Sequence, residues 1–364
     1  MQVKTWIEIS KKAVLSNYRE LRKILKPKTK LYAVVKSNAY GHGLTLFSKL
    51  AEGFGADGFC VDSPIEGLRL RENGIIKPIL VLGPTLDGSL AETAGNGITI
   101  TISSWEVLAA FLKSKHRPQF HLKIDTGMHR QGFYISELPK VIRKISNFQF
   151  PISNFLTGVY THFASAKDLN YPTFTDLQFH AFKKAVKLLE AAGFKNLIKH
   201  AAATGGAMIN PEYHLDAVRA GIGLYGFYPS KELEAQLGDK IGFVPALAWH
   251  SYITEVKNIE SGGYVGYDLA ERVWKSKKAA VIPIGYWHGF DRGLSSIGEV
   301  LIRGRRARVL GRVSMDLIIV DVTGAPCKAG DVAVILGKQG ADEITAYEMA
   351  HKIGTSHYEI MTRI

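Results

Sequence analysis

Leu31-Tyr32-Ala33-Val34-Val35-Lys36 is a continuous apolar run closed by a lysine. A strand without in/out alternation is one covered on both faces, as the strands of a parallel sheet are. Ahead of it, Ser10 can cap a helix in which Val14, Leu15, Tyr18, Leu21, Ile24 and Leu25 share one face, and Pro27 stops it. Downstream the same alternation returns. Strand-like runs at 56–61, 78–82, 97–102, 119–124, 156–161, 198–203 and 215–219 bring the count to eight. Most are followed by helical segments, at 63–73, 104–114, after Ser136, at 175–192 and after Thr204. This pattern predicts an α/β fold, an N-terminal (β/α)8 TIM-like barrel, with a doubly wound open sheet as the alternative.

Beyond about residue 235 the texture changes to β-branched and aromatic runs parted by glycine turns, at 246–256, 279–285, 307–310, 317–322 and 331–336. The chain is therefore expected to divide into a barrel over 10–235 and a C-terminal, mainly β domain over 236–364, with the strand-like segment 5–9 joining the latter. A length of 364 residues suits that division, since such a barrel absorbs about 250. With 46% hydrophobic and 22% charged residues the composition is that of an ordinary globular protein and excludes disorder.

The opening residues lack the basic and apolar regions of a secretion signal, and no run approaches the roughly 18 apolar residues of a membrane span, so a cytoplasmic protein without membrane attachment is expected. Cys60 and Cys327 offer neither a disulfide framework nor a metal spacing. The excess of 46 basic over 33 acidic residues gives +13. Its dense part, residues 303–312, alternates with apolar residues as a strand would, and no nucleic-acid reader motif accompanies it, so nucleic acid is not an expected partner.

Barrel active sites gather at the C-terminal strand ends. The polar residues there are Lys36 with Tyr40, Lys123 with Asp125 and Arg130, His162, His200 with Thr204, and Arg219 with Gly221 and Gly223. A lysine ending a buried strand either emerges into solvent or is used covalently, and one whose pKa is lowered by burial can form a Schiff base.

The string Ala33-Val34-Val35-Lys36-Ser37-Asn38-Ala39-Tyr40-Gly41-His42-Gly43 resembles the cofactor-lysine motif of bacterial alanine racemases. Further segments resemble the same family in the same order: 123–130, Thr161-His162-Phe163, Val218-Arg219 with Gly221-Ile222, Val265-Gly266-Tyr267, 283–286 and Ser314-Met315-Asp316. The resemblance implies a pyridoxal-phosphate-dependent amino-acid racemase that interconverts L- and D-alanine, supplies D-alanine for peptidoglycan, and works as a homodimer with shared active sites and no metal. It further implies that Lys36 carries the cofactor and that Lys36 and Tyr267 are the two acid/base groups, Tyr267 coming from the partner subunit. Arg219 would hydrogen-bond the pyridine nitrogen. Because arginine keeps its proton, the ring would stay a restrained electron sink. Tyr40, Thr204, the Gly221 and Ile222 amides and Tyr358 would hold the phosphate, His162 would stack on the ring, and Arg130 with the Met315 amide would bind the substrate carboxylate. Lys123 stands where a carbamylated lysine is found in many members, and a plain ion pair with Asp125 is the alternative.

The sequence departs from the family pattern in places. Thr204 replaces a usual serine, and the hydroxyl survives. Asp268 follows Tyr267, where it would raise the phenol's pKa if turned toward it. Tyr286-Trp287-His288-Gly289 alters the entrance region. Racemisation of serine or another amino acid on the same scaffold, or a non-enzymatic pyridoxal-phosphate carrier, are the alternatives. The presence of a domain bearing Tyr267 and Met315 speaks against a carrier.

Overall fold

The computed structural model describes residues 3–149 and 151–364. Strand β1, Thr5–Ile9, precedes eight parallel strands: β2 Lys30–Val34, β3 Gly58–Val61, β4 Ile79–Val81, β5 Ile98–Ile102, β6 Phe120–Lys123, β7 Leu156–Tyr160, β8 Ile198–His200 and β9 Ala217–Ala220. From β2 to β8 each strand pairs with the next, and β9 returns to the free side of β2. The ring closes between β8 and β9, where the Asp216 amide donates to the Lys199 carbonyl and the Arg219 amide to the Ala202 carbonyl, both at 3.0 Å. Every residue of β3, β6 and β9 is buried, so β3 reads as an unbroken apolar run, while His121 and Lys123 in β6 and Arg219 in β9 are polar side chains inside the barrel. The expected barrel is present.

Local chemistry sets the helix starts. Ser63 and Ser104 accept hydrogen bonds from the amides of Glu66 and Val107, and Pro64 fits the first turn of its helix, Pro64–Glu72. Helix Leu44–Phe54, between β2 and β3, was not anticipated. It begins after Gly43 with no side-chain cap, so the preceding Gly-His-Gly reads as loop, although Leu44, Phe47, Ser48 and Ala51 line its buried face.

Two compact units emerge. One is the barrel, Lys11–Ala39 with Gly43–Pro245. The other comprises residues up to Ser10, Tyr40–His42 and Ala246–Ile364. The division at Pro245 lies ten residues beyond the expected 235, because helix Lys231–Leu237 buries Leu233 and Leu237 against Met208, Tyr228 and Ile241 of the barrel unit. In the second unit β1 runs antiparallel to the strand Leu247–Tyr252, from Thr5 opposite Ser251 to Ile9 opposite Leu247. That unit holds a six-stranded, a three-stranded and a two-stranded sheet. It ends in two helices, Ala346–Ile353 and His357–Thr362, so it is mainly rather than wholly β. Tyr40–His42 lies with the last of these. Gly41 has φ +82°, and a Cβ there would stand 2.2 Å from the Met361 carbonyl oxygen, which only glycine avoids.

The basic run 303–312 is ion-paired. Arg306 meets Glu299, Asp342 and Glu348, Arg308 meets Glu271, and Arg303 meets Asp331. No helix among the described residues is long and apolar enough to cross a membrane.

Candidate active site

Lys36 lies just past β2 and heads a turn in which Ser37, Asn38, Ala39 and Tyr40 have φ of 55, 55, 52 and 53°. Left-handed backbone costs an L-residue about 1–2 kcal/mol, so four in succession persist only where surroundings impose them. The Ala39 amide donates to the Val35 carbonyl at 2.8 Å and the Gly43 amide to the Asn38 carbonyl at 3.0 Å. The Asn38 side-chain oxygen accepts from the Leu44 amide at 2.9 Å. The Lys36 ammonium faces Asp62 at 3.2 Å.

Inside the barrel mouth Arg219 is 2% exposed. Its Nη1 donates to Nδ1 of His200 at 2.6 Å. Its Nη2 donates its two hydrogens to the Thr161 and Ala201 carbonyls at 2.8 and 2.9 Å and shares one of them with Nδ1 of His162 at 3.2 Å. Arginine can only donate, so both imidazoles must accept through Nδ1 and carry their hydrogen on Nε2. Burial, reinforced by the Arg219 charge, holds both histidines far below their usual pKa, which keeps them neutral acceptors. His200 passes the direction on, donating from Nε2 to Nδ1 of His121 at 2.8 Å. Burial and Arg219 push His121 down to about 3. Tyr160 stacks on His200 with ring centres 4.7 Å apart and lies 5.1 Å beneath the guanidinium. These four acceptors, two imidazoles and two carbonyls, engage neither the Nε–H nor the second Nη1–H of Arg219, and a guanidinium donor fits a bare ring nitrogen.

His162 is therefore a hydrogen-bond acceptor to Arg219, a feature the expected stacking role does not include. His121 and Tyr160 escaped the reading of strand ends because both lie inside the predicted runs, 119–124 and 156–161, although Tyr160 is the last residue of β7. Their signal was a polar side chain inside an otherwise apolar buried strand.

Lys123 ends β6 and is 5% exposed. Its amine donates to Gln131 Oε1 at 2.8 Å and stands 5.4 Å over the Tyr160 ring. Burial, then the charges of Arg130 and Arg219, lowers it from 10.5 to about 7. Its direct partner is Gln131. The Asp125 carboxylate is engaged elsewhere, with Oδ1 accepting from the amides of Gly127, Met128 and His129 and Oδ2 from that of Arg130, at 2.9 to 3.0 Å. Burial would raise Asp125, but these four amides outweigh it. Asp125 thus shapes the loop that presents Arg130. Lys36, Lys123, Arg130 and Arg219 all act on one another or on His162 electrostatically, and so much positive charge in one mouth suits an anionic ligand.

Thr204 opens the helix Thr204–Ile209, and its Oγ1 accepts from the Gly221 and Gly223 amides at 3.1 and 3.4 Å. Its own hydroxyl hydrogen is left to donate, while the Gly221 amide is engaged by Thr204.

In the β unit, the rings of Tyr40 and Tyr358 lie 6.3 Å apart. Burial, then Tyr40 and Tyr347, raises the Tyr358 pKa and keeps the phenol a donor. Tyr267 is 68% exposed at a turn where Asp268 and Leu269 have φ of 63 and 51°. Asp268 pairs with Arg312 at 3.6 Å. Met315 follows on the same loop as Arg312, and its carbonyl accepts from the Trp287 amide at 3.0 Å.

A lysine amine, a donor matched to a ring nitrogen and a cationic mouth on one parallel barrel are the layout of a pyridoxal-phosphate enzyme of the barrel class, here an amino-acid racemase. The N-terminal domain family of alanine racemases matches residues 9–229 and the C-terminal domain family matches 246–364. The chain is 38% identical to the alanine racemase of Methanococcus maripaludis over 369 residues, 99% of this chain and 96% of that one. It is 37% identical to that of Carboxydothermus hydrogenoformans over 366 residues, 99% and 96%. The crystal structure of alanine racemase from Bacillus anthracis with bound L-Ala-P superimposes with a TM-score of 0.92 at 31% identity, covering 100% of this chain and 93% of that one. An alanine racemase from Clostridium difficile gives 0.91 at 33%, covering 100% and 94%. The chain belongs to the alanine racemase family.

Proposed function

We propose that the protein interconverts L- and D-alanine, with Lys36 and Tyr267 exchanging the α-proton on opposite faces of the substrate. What supports this reading is the Arg219 hub in the same barrel mouth as Lys36, in a chain matched over its length by alanine racemases. When bound, pyridoxal phosphate supplies a conjugated ring that delocalises the electron pair left on the α-carbon. Arg219 would meet the ring nitrogen with an N–H that His200, His162 and the two carbonyls do not take. Since an arginine keeps its proton, that nitrogen would stay unprotonated and side reactions would be restrained. Thr204, the Ile222 amide, Tyr40 and Tyr358 would hold the phosphate, whereas the Gly221 amide, expected to join them, is taken by Thr204 Oγ1. Arg130 and the Met315 amide hold the substrate carboxylate, which fixes the α-carbon between the two bases. Lys36 Nζ takes or returns the proton on one face and Tyr267 Oη on the other.

The exposure of Tyr267 at the tip of its turn suits delivery into the barrel mouth of a second copy, and we read the working protein as a homodimer. With a pKa near 7 the Lys123 amine is available uncharged, the form that adds carbon dioxide, and its carbamate would face Arg130. An intact-protein mass that drops by one carbon dioxide on acid treatment tests this. A bare amine under carbon-dioxide-replete conditions would exclude it. We place the enzyme in the cytoplasm, supplying D-alanine to peptidoglycan.

The decisive experiment incubates the holoenzyme with L-alanine, and separately L-serine, in deuterated water, and follows D-isomer and α-deuterium by chiral chromatography and mass spectrometry. Deuterated D-alanine is expected. Its absence alongside deuterated D-serine would assign a different substrate to the same chemistry.

A further inference from the structure

Ser63-Pro64-Ile65-Glu66 has the form of a capping box, in which the glutamate would turn back to the amide of the capping serine. Glu66 does something else. Its Oε2 accepts from the Asp62 amide at 2.7 Å and its Oε1 from the Ser37 amide at 2.6 Å, in or just below the range of charge-assisted bonds. Ser37 is the residue after Lys36 and the first of the left-handed turn. Asp62 is the residue after β3, and its carboxylate meets the Lys36 amine. The contacts form a closed ring: Glu66 to Ser37, Ser37 to Lys36 through the chain, Lys36 to Asp62 through the ion pair, and Asp62 back to Glu66.

We infer that Glu66 is a positioning residue for Lys36, holding the backbone behind it and the carboxylate in front of it with one side chain. The inference rests on Lys36 as the cofactor lysine. A helix cap alone needs no bond to Ser37, a residue of the neighbouring strand's loop. Pinning the Ser37 amide fixes the peptide that follows Lys36, and it does so where the backbone would otherwise relax out of the left-handed region. A side chain so placed affects how readily the amine reaches the cofactor as well as how fast it moves protons.

The test compares Glu66→Gln and Glu66→Asp with Ser63→Ala, which removes the cap and leaves the ring. Glutamine cannot accept from both amides, because its NH2 would face one of them, and aspartate is too short to span them. Three readouts serve: the rate at which cofactor-stripped protein takes up pyridoxal phosphate, seen as the lysine-bound absorbance, the kcat against KM split of the holoenzyme, and the thermal midpoint. Both Glu66 variants are expected to load about tenfold more slowly and to lose about tenfold or more in kcat with KM little changed. Ser63→Ala is expected to lower the midpoint only. Wild-type loading and kcat in either soluble Glu66 variant, or the same losses in Ser63→Ala, would overturn the inference. Borohydride trapping on wild-type protein separates the two readings. Cofactor fixed to a lysine other than Lys36 removes the functional reading and this one with it, whereas cofactor on Lys36 with unaffected Glu66 variants removes this one alone.

Discussion

Arg219 concentrates more of the site's order than any other side chain, because two carbonyls and two imidazoles take their hydrogen bonds from it. Arg219→Lys keeps the charge but presents a single point donor in place of a planar fork. It is expected to lower stability by about 3 kcal/mol, since buried acceptors lose their partners. A fall in kcat of about a hundredfold should accompany it. Denaturant melts and steady-state rates check both. Lys123 gives a pH signature. Its pKa is ordinarily 10.5 and falls to about 7 in the fold, so between these values the unfolded chain holds a proton that the folded chain has released. Unfolding then takes up a proton, and this lysine's contribution to stability rises with pH from about 7 toward 10.5. Relative to Lys123→Met, and in carbon-dioxide-free buffer where the amine is bare, the wild-type thermal midpoint should climb across that window. A constant difference would show that the amine is not displaced. Asp268, beside the second proposed base, pairs with Arg312 at 3.6 Å.

The left-handed turn after Lys36 is the element on which the site depends. Asn38→Val removes the bond to the Leu44 amide and puts a β-branched side chain at φ near +55°, and a loss of about 2 kcal/mol is expected in chemical denaturation. Asn38→Gly, free to adopt that φ, should lose less. Nothing in Ser37-Asn38-Ala39-Tyr40 announces four consecutive positive φ values, since only the asparagine favours them. The barrel strands, by contrast, were legible because burial on both faces leaves them mostly apolar, with the few polar exceptions at the site, and the observed strands overlap the predicted runs. Helix Leu44–Phe54 was hidden by its glycine start, and helix Lys231–Leu237 was separated from the barrel because its packing partners Met208 and Tyr228 are distant in sequence. The polar residues at strand ends identified Lys36, Lys123, His162, His200 and Arg219. The direction of hydrogen bonding through His121 depends on which strands adjoin, which periodicity does not carry.

For the whole molecule, the shared-site proposal makes a numerical prediction. Lys36→Ala and Tyr267→Phe should each be nearly inactive. Mixing them under conditions that exchange subunits should restore about a quarter of wild-type activity, because half of the dimers are hybrids and one of the two sites in each is intact. No recovery in a verified hybrid would place both groups on one chain. A different consequence attaches to the way the chain is apportioned between its units. It passes from one to the other after Ser10, after Ala39, after His42 and after Pro245. The excursion at Tyr40–His42 is three residues long, and Gly41 fits beneath the Met361 carbonyl with no room for a side chain. The two units are therefore not interchangeable parts joined at one seam. A chimera that grafts this barrel onto another protein's β domain at residue 245 would carry Tyr40–His42 with it, a patch tailored to a helix left behind. Such a graft should need Tyr40–His42 exchanged as well.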